Sequence, residues 1–177
     1  YNNLRLIDVF SNDINGGSMQ YVIAHNESNF KTKLKKINKY LLIDKKLKLE
    51  KTSTFKKFFD KIKKLRKEFL FLIYNLKRNG KIIHGCGAST KGNVLLQFYG
   101  LTKKEINFIS DRNSAKNGSF TPGTKIPIIS EAESRKMKPD YYLVLPWHFK
   151  KEIIKREKRI IKRGTKFIFP LPRTKVF

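Results

Sequence analysis

The sequence has a single cysteine, Cys86, in 177 residues, so no disulfide can form within the chain. Long hydrophobic runs are missing as well. The longest, residues 69–74, is six residues, far short of the ~20 that a bilayer-spanning helix needs. No secretory signal opens the chain. A reducing cytoplasm is the expected compartment, with no membrane partner. Acidic residues are scarce: Asp and Glu number 14 against 40 Lys and Arg, for a formal charge of +26. Apolar residues still make up 40% and aromatics 12%, enough to bury a core, which excludes a disordered basic tail. The length suits one domain with a piece of another. The chain opens on Tyr1, not Met, inside a strand-like segment, and is read as a fragment.

The charge is uneven. Residues 31–81 hold nineteen Lys and Arg against four acids, and lysines are 31 of the 40 basic residues. Arginine, the better base-reading and bidentate phosphate residue, is sparse. Lys, Asn, Ile, Phe and Tyr together supply 84 of the 177 residues. All five have A+T-rich codons, which enriches surface lysine without any function attached. No RNP-like strand, zinc-knuckle spacing or helix-turn-helix pattern accompanies the lysines. Nucleic acid is therefore not the expected partner, although the charge still attracts an anionic substrate.

Residues 4–10 and 19–24 read as two strands joined by the turn Asn15, Gly16, Gly17 and Ser18, a hairpin too small to be stable alone. It is expected to belong to a sheet whose other strands lie elsewhere. Residues 29–52 read as a linker with at most a short helix. From Phe55 to Leu76, apolar residues step by three and four along one helical face, with Asn79-Gly80 as the stop. After Lys81 the pattern alternates. Strands are expected at 81–84, 106–110, 126–129, 141–145 and 166–169, with helices after Gly92, over 130–137 and over 149–163. Such alternation predicts an α/β fold: a Rossmann-like, mostly parallel sheet with flanking helices. The expected division is 1–28 for the hairpin, 29–52 for the linker and 53–177 for the Rossmann-like domain.

In an open parallel sheet, ligands bind beyond the carboxyl ends of the strands, and three segments fall there. Residues 85–92, G-C-G-A-S-T-K-G, form a strand–loop–helix junction. The pattern departs both from G-x-G-x-x-G and from the P-loop, so phosphate contact and a bare packing turn both stay open. Asp111, Arg112 and Asn113 end the second strand of the alternating region, where such folds hold a ribose hydroxyl; a solvated turn is the alternative. Trp147 and His148 follow the fourth strand, offering a stacking ring and a group that exchanges protons near neutrality, or simply a packing ring and a cap. His25, His84, His148 and Cys86 lack ligand spacing, so no metal site is expected. A lone thiol with no evident base reads as a small buried hydrophobe.

Seven short motifs then occur in one order: residues 85–93, GCGASTKGN; 111–113, DRN; 121–124, TPGT; 126–128, IPI; 139–141, PDY; 145–149, LPWHF; and 167–172, FIFPLP. The set resembles the C-terminal domain of the SAM-dependent sugar C-methyltransferases, and Asn15 to Ser18 resembles an H-G-G-S turn near the end of their methyltransferase domain. Asn15 stands where that family often has His, and Cys86 where Tyr is common. The resemblance implies a substrate that is a nucleotide-linked keto-deoxysugar. A base would remove a proton alpha to the keto group, and the enolate would attack the methyl of S-adenosylmethionine. It implies SAM and zinc sites upstream of this chain, so that the fragment binds neither and is inactive alone. The implied substrate-facing residues are Ala88, Ser89, Thr90, Lys91, Gly92, Asn93, Asp111, Arg112, Asn113, Trp147 and His148. His148 is also the one catalytic candidate, and Asn15, Gly16, Gly17 and Ser18 form the active-site turn. The competing reading is a non-catalytic, basic Rossmann-like module that binds nucleotide or RNA.

Overall fold

The computed structural model describes residues 2–177, so residue 1 of the expected hairpin segment lies outside the described residues. The chain divides into two compact units, one ending at Lys61 and the other Ile62–Phe177. The division falls inside one long helix.

In the first unit, β1 (Leu4–Asn12) pairs antiparallel with β2 (Ser18–His25). The turn between them needs positive φ at Asn15, Gly16 and Gly17, which explains its two glycines. A register shift between Leu6 and Asp8 marks a bulge, and Ile7, Asp8 and Val9 are buried in succession there. The buried Asp8 carboxylate pairs with Lys33 at 2.8 Å and Lys36 at 2.9 Å. These ammonium groups, Lys33 first, hold its pKa down to about 2. β2 leaves Met19, Tyr21 and Ile23 exposed. The segment expected to be a linker carries α1 (Leu34–Leu47), a 14-residue helix none of whose residues is buried.

The second unit contains most of α2 (Thr52–Arg78), whose Phe69 and Ile73 are buried. Its sheet follows the order β5-β4-β3-β6-β7-β8: β3 (Ile83–Cys86), β4 (Ile109–Asp111), β5 (Ile128–Ser130), β6 (Tyr141–Val144) and β7 (Lys166–Phe169) are parallel, and β8 (Lys175–Val176) adds antiparallel. The expected Rossmann-like, mostly parallel sheet is the one observed. Alternation along the strands makes two cores. Ile83, Ile109, Leu143 and Ile168 pack with Phe69 and Ile73 of α2 and with Leu95 and Leu96 of α3 (Thr90–Tyr99). On the opposite face, Cys86, Tyr142, Val144, Phe167 and Phe169 pack with Ile153 of α5 (Lys150–Arg156). His84 of β3 is buried on that face, where it shares a 2.8 Å hydrogen bond with Ser134 of α4 (Glu131–Lys136). Ser134 also bonds Tyr142 at 2.8 Å.

One expected helix is broken. The apolar spacing over 149–163 predicts a continuous helix, but the chain forms a 3-10 turn Trp147–Phe149, then α5, then α6 (Lys158–Lys162). Glu157 stands at the break with φ −92° and ψ 16°. Its buried carboxylate is held between Arg135 and Arg156, so a pair of ion contacts takes precedence over helix continuity. Among the described residues, no helix is long and apolar enough to cross a membrane.

Candidate functional site

Strand order reverses between β3 and β6, so the loops after these strands diverge and leave a crevice at their carboxyl ends. Gly87 and Pro146 meet there: a Cβ on Gly87 would lie 2.8 Å from Pro146, and its φ of +84° also favours glycine. A cavity of about 320 Å³ opens beside this contact. Asp111, Arg112, Glu131, Phe149, Glu152 and Arg156 line it. A larger cavity of about 640 Å³ lies by Asp140 and Thr165, ahead of β6 and β7. That is the amino end of the strands, where open α/β sheets do not bind their ligands.

The residues expected from the sequence take three kinds of place. Asp111 and Arg112 line the cavity, but Asp111 is already engaged. Its carboxylate accepts from the Ala88 N–H at 2.7 Å, the Asn113 N–H at 2.8 Å and the Lys116 ammonium at 3.3 Å. Lys116 also donates to the Ala88 carbonyl at 2.9 Å. Asp111 thus ties the loop after β3 to the loop after β4, and Asn113 accepts from Ala115 N–H to close the next turn.

Ser89 is spent locally too. Its hydroxyl caps α3 by accepting from Gly92 N–H at 3.1 Å. Gly92 is required by packing, since a Cβ there would lie 2.5 Å from Leu145 Cβ. Thr90, Lys91 and Asn93 share the first turn of α3 with it. Trp147 packs at the seam of the two cores, against both, and its ring meets His148 edge-on at 6.0 Å. The turn of Asn15 to Ser18 sits at the hairpin tip of the first unit, where Ser18 hydroxyl donates to Ile14 carbonyl at 2.9 Å.

Two atoms stand out among the described residues. Asn93 Oδ1 and His148 Nδ1 are buried side-chain polar atoms without a hydrogen-bond partner. Leaving such an atom unpaired costs on the order of 1–3 kcal/mol. Both lie beyond the carboxyl ends of strands, after β3 and β6. Burial and then the nearby charge of Lys91 push the His148 pKa below its ordinary value, against an opposing pull from Glu152. The imidazole is therefore neutral near pH 7 and able to accept or donate one hydrogen bond.

Sequence reasoning missed the charged frame of the cavity. Arg135, Glu131, Arg156 and Glu157 form a closed ring of alternating charge. Arg135 bonds Glu131 at 2.9 Å and Glu157 at 2.9 Å, while Arg156 bonds Glu131 at 2.8 Å and Glu157 at 2.7 Å. The ring joins α4 to α5 and to the residue that follows it. One signal was available: Phe149, Glu152, Ile153 and Arg156 are spaced three and four apart, so they share one helical face.

Gly85 in β3, Gly87 in the loop after it and Gly92 in α3 are closely packed, with Ile109, Pro146 and Leu145 respectively occupying the space a Cβ would need. The Asp111 carboxylate is taken up by loop contacts. Among the described residues no group of three or more His, Cys, Asp or Glu side chains is placed to hold a metal ion. Cys86 is buried, and that burial pushes its thiol up to about 12, so it is no nucleophile.

Comparison with known proteins bears on the same region. Residues 13–172 match the family model described as the C-methyltransferase C-terminal domain. The chain is 33% identical over 173 residues to the C-methyltransferase NovU of Streptomyces niveus, a match that covers 98% of this chain and 41% of that relative. The chain therefore spans about two fifths of the length of the curated relative it matches. With a family model covering nearly its whole length, the chain belongs to the C-methyltransferases and carries their C-terminal domain.

Proposed function

We propose that this chain is the substrate-side portion of a SAM-dependent C-methyltransferase whose substrate is a nucleotide-linked keto-deoxysugar in the cytoplasm. The observation that carries this reading is the pair of buried, unpartnered polar atoms, Asn93 Oδ1 and His148 Nδ1, placed where an α/β sheet binds its ligand. A sugar hydroxyl or carbonyl would give each of them a partner. The 33% identity to a C-methyltransferase supports the reaction class.

On this reading the chain's own residues bind and orient. The first turn of α3, with Lys91, faces the anionic end of the substrate, because a helix amino terminus and an ammonium both favour negative charge. His148, neutral at pH 7, holds a hydrogen bond to the sugar or to its oxygen as charge develops there. The methyl donor and zinc are assigned to the part of such enzymes outside the matched region, and the chain alone is inactive. Isolated protein incubated with labelled SAM and a nucleotide-linked keto sugar is expected to transfer no methyl group, and turnover would overturn the claim. Asn93→Ala and His148→Ala should each weaken nucleotide-sugar binding about tenfold without loss of folding; unchanged affinity in both would remove these residues from the site.

A further inference from the structure

We propose that the cavity at the amino end of β6 and β7 binds a phosphate dianion, either as the free ion or as the head of a small phosphate monoester. The inference does not depend on which substrate the carboxyl ends of the strands take.

The first argument is charge. Asp140 is the one acid among the residues that line this cavity, and it is already engaged. Its carboxylate accepts from the Ile82 N–H at 2.8 Å and from the Lys81 ammonium at 3.2 Å. Against it stand Arg135, Lys138 and Arg163. Arg135 is balanced by Glu131 and Glu157. The side chains of Lys138 and Arg163 have no hydrogen bond or ion pair among the described residues. Two positive charges therefore line a concave space with no carboxylate to offset them. The cavity at the carboxyl ends has the opposite balance, with Asp111, Glu131 and Glu152 against Arg112 and Arg156. A dianion matches the amino-end cavity in charge, and a recess strengthens the attraction because less water screens it.

The second argument is hydrogen bonding. Arg135 reaches both of its carboxylates through one terminal nitrogen, at 2.9 Å each. Its Nε and other terminal nitrogen keep their donors, and the two carboxylates fix the guanidinium in direction. Arg163 and Lys138 add donors of their own, and a planar guanidinium suits the paired oxygens of a phosphate. The Thr165 hydroxyl donates to the Pro139 carbonyl at 3.0 Å, which leaves its oxygen to accept from a hydroxyl on the organic part of an ester. The volume of about 640 Å³, against about 320 Å³ for the carboxyl-end cavity, has room for that part. Cations also suit helix carboxyl ends, and Lys138 comes soon after α4 as Arg163 follows α6. That role is local to each helix and does not account for their meeting Arg135 around one cavity.

The test follows the backbone amide shifts of the isotope-labelled 177-residue chain by NMR during titration with inorganic phosphate and, separately, with glucose 1-phosphate. At about pH 7.5 a phosphate monoester is a dianion, and about 0.15 M salt screens long-range surface attraction. The amides of Gly164 and Thr165 should shift and saturate with both ligands. The tighter of the two identifies the source, a free ion or an ester. Arg163→Gln should weaken binding at least about tenfold, and Lys138→Gln at least about threefold. Both positions are exposed, so the melting temperature should hold. Lys57→Gln, which removes the same charge from an exposed position on α2, and Asn93→Ala should each leave the affinity within about twofold. No saturable shift at Gly164 and Thr165 overturns the proposal. So does an affinity that Arg163→Gln lowers no more than Lys57→Gln does, and neither result touches the reading of Asn93 and His148.

Discussion

The Ala88 N–H donates to the Asp111 carboxylate at 2.7 Å, and this one bond couples the loop after β3 to the loop after β4. The same carboxylate also accepts from Asn113 and Lys116, so Asp111 sets loop shape at the mouth of the cavity. Asp111→Ala leaves two backbone donors to find water and should cost about 1–3 kcal/mol in urea unfolding. Asp111→Asn, which keeps an acceptor, should cost less. Equal stability of Asp111→Ala and the parent protein would contradict the coupling.

Gly92 gives a second, steric test. A helix normally gains from Gly→Ala by about 1 kcal/mol. At Gly92 the added Cβ would sit 2.5 Å from Leu145 Cβ, and overpacking of this kind costs about 1–3 kcal/mol. Gly92→Ala should therefore lower the denaturation midpoint, where helix propensity alone predicts a rise.

The Cys86 thiol, raised by burial to about 12, should resist labelling by a disulfide reagent at pH 8 in folded protein and react fully in guanidinium. Rapid stoichiometric labelling of the folded chain would show that the thiol is neither buried nor inert.

Acid should weaken the fold in two steps of different origin. His84 is held to about 4, by burial first and then by the charge of Lys77, while an unfolded histidine titrates near 6.5. Between these values the unfolded chain binds the extra proton, so stability falls as pH drops from about 6.5 to 4. Asp8, held to about 2 from 3.8, adds stability that is present above about 4 and lost as pH falls toward 2. His84→Gln should flatten the first window and leave the second. Chemical unfolding followed from pH 7 to pH 2 in both proteins checks this.

How far the sequence could be read depended on whether a residue's role is local. The short apolar run of β6, the alternation of such strands with helices and the three–four stepping from Phe55 through Ile73 are local patterns, and they marked out the elements and the parallel sheet. The short strand β8 carries only two residues, Lys175 and Val176, too few to show a period. The break at Glu157 was hidden because its cause lies 22 residues away at Arg135, and the apolar stripe runs on through it unchanged. The same limit shaped the site. Asp111 and Arg112 were legible from their place at a strand end, and Asn93 from the family-like motif. Glu131, Glu152 and Arg156 look in sequence like ordinary helix-surface charges. Only the placing of α4 and α5 beside the same cavity makes a wall of them.

The most direct test of the account is to titrate the chain with a nucleotide-linked keto-deoxysugar and, separately, with single-stranded RNA at several salt concentrations. The account predicts weak binding that is selective for the sugar nucleotide, weakened by Asn93→Ala, and little affinity for RNA at 0.15 M salt. Steeply salt-dependent RNA binding with no response to the sugar nucleotide would contradict it and make the lysines, not the sheet's carboxyl edge, the functional surface.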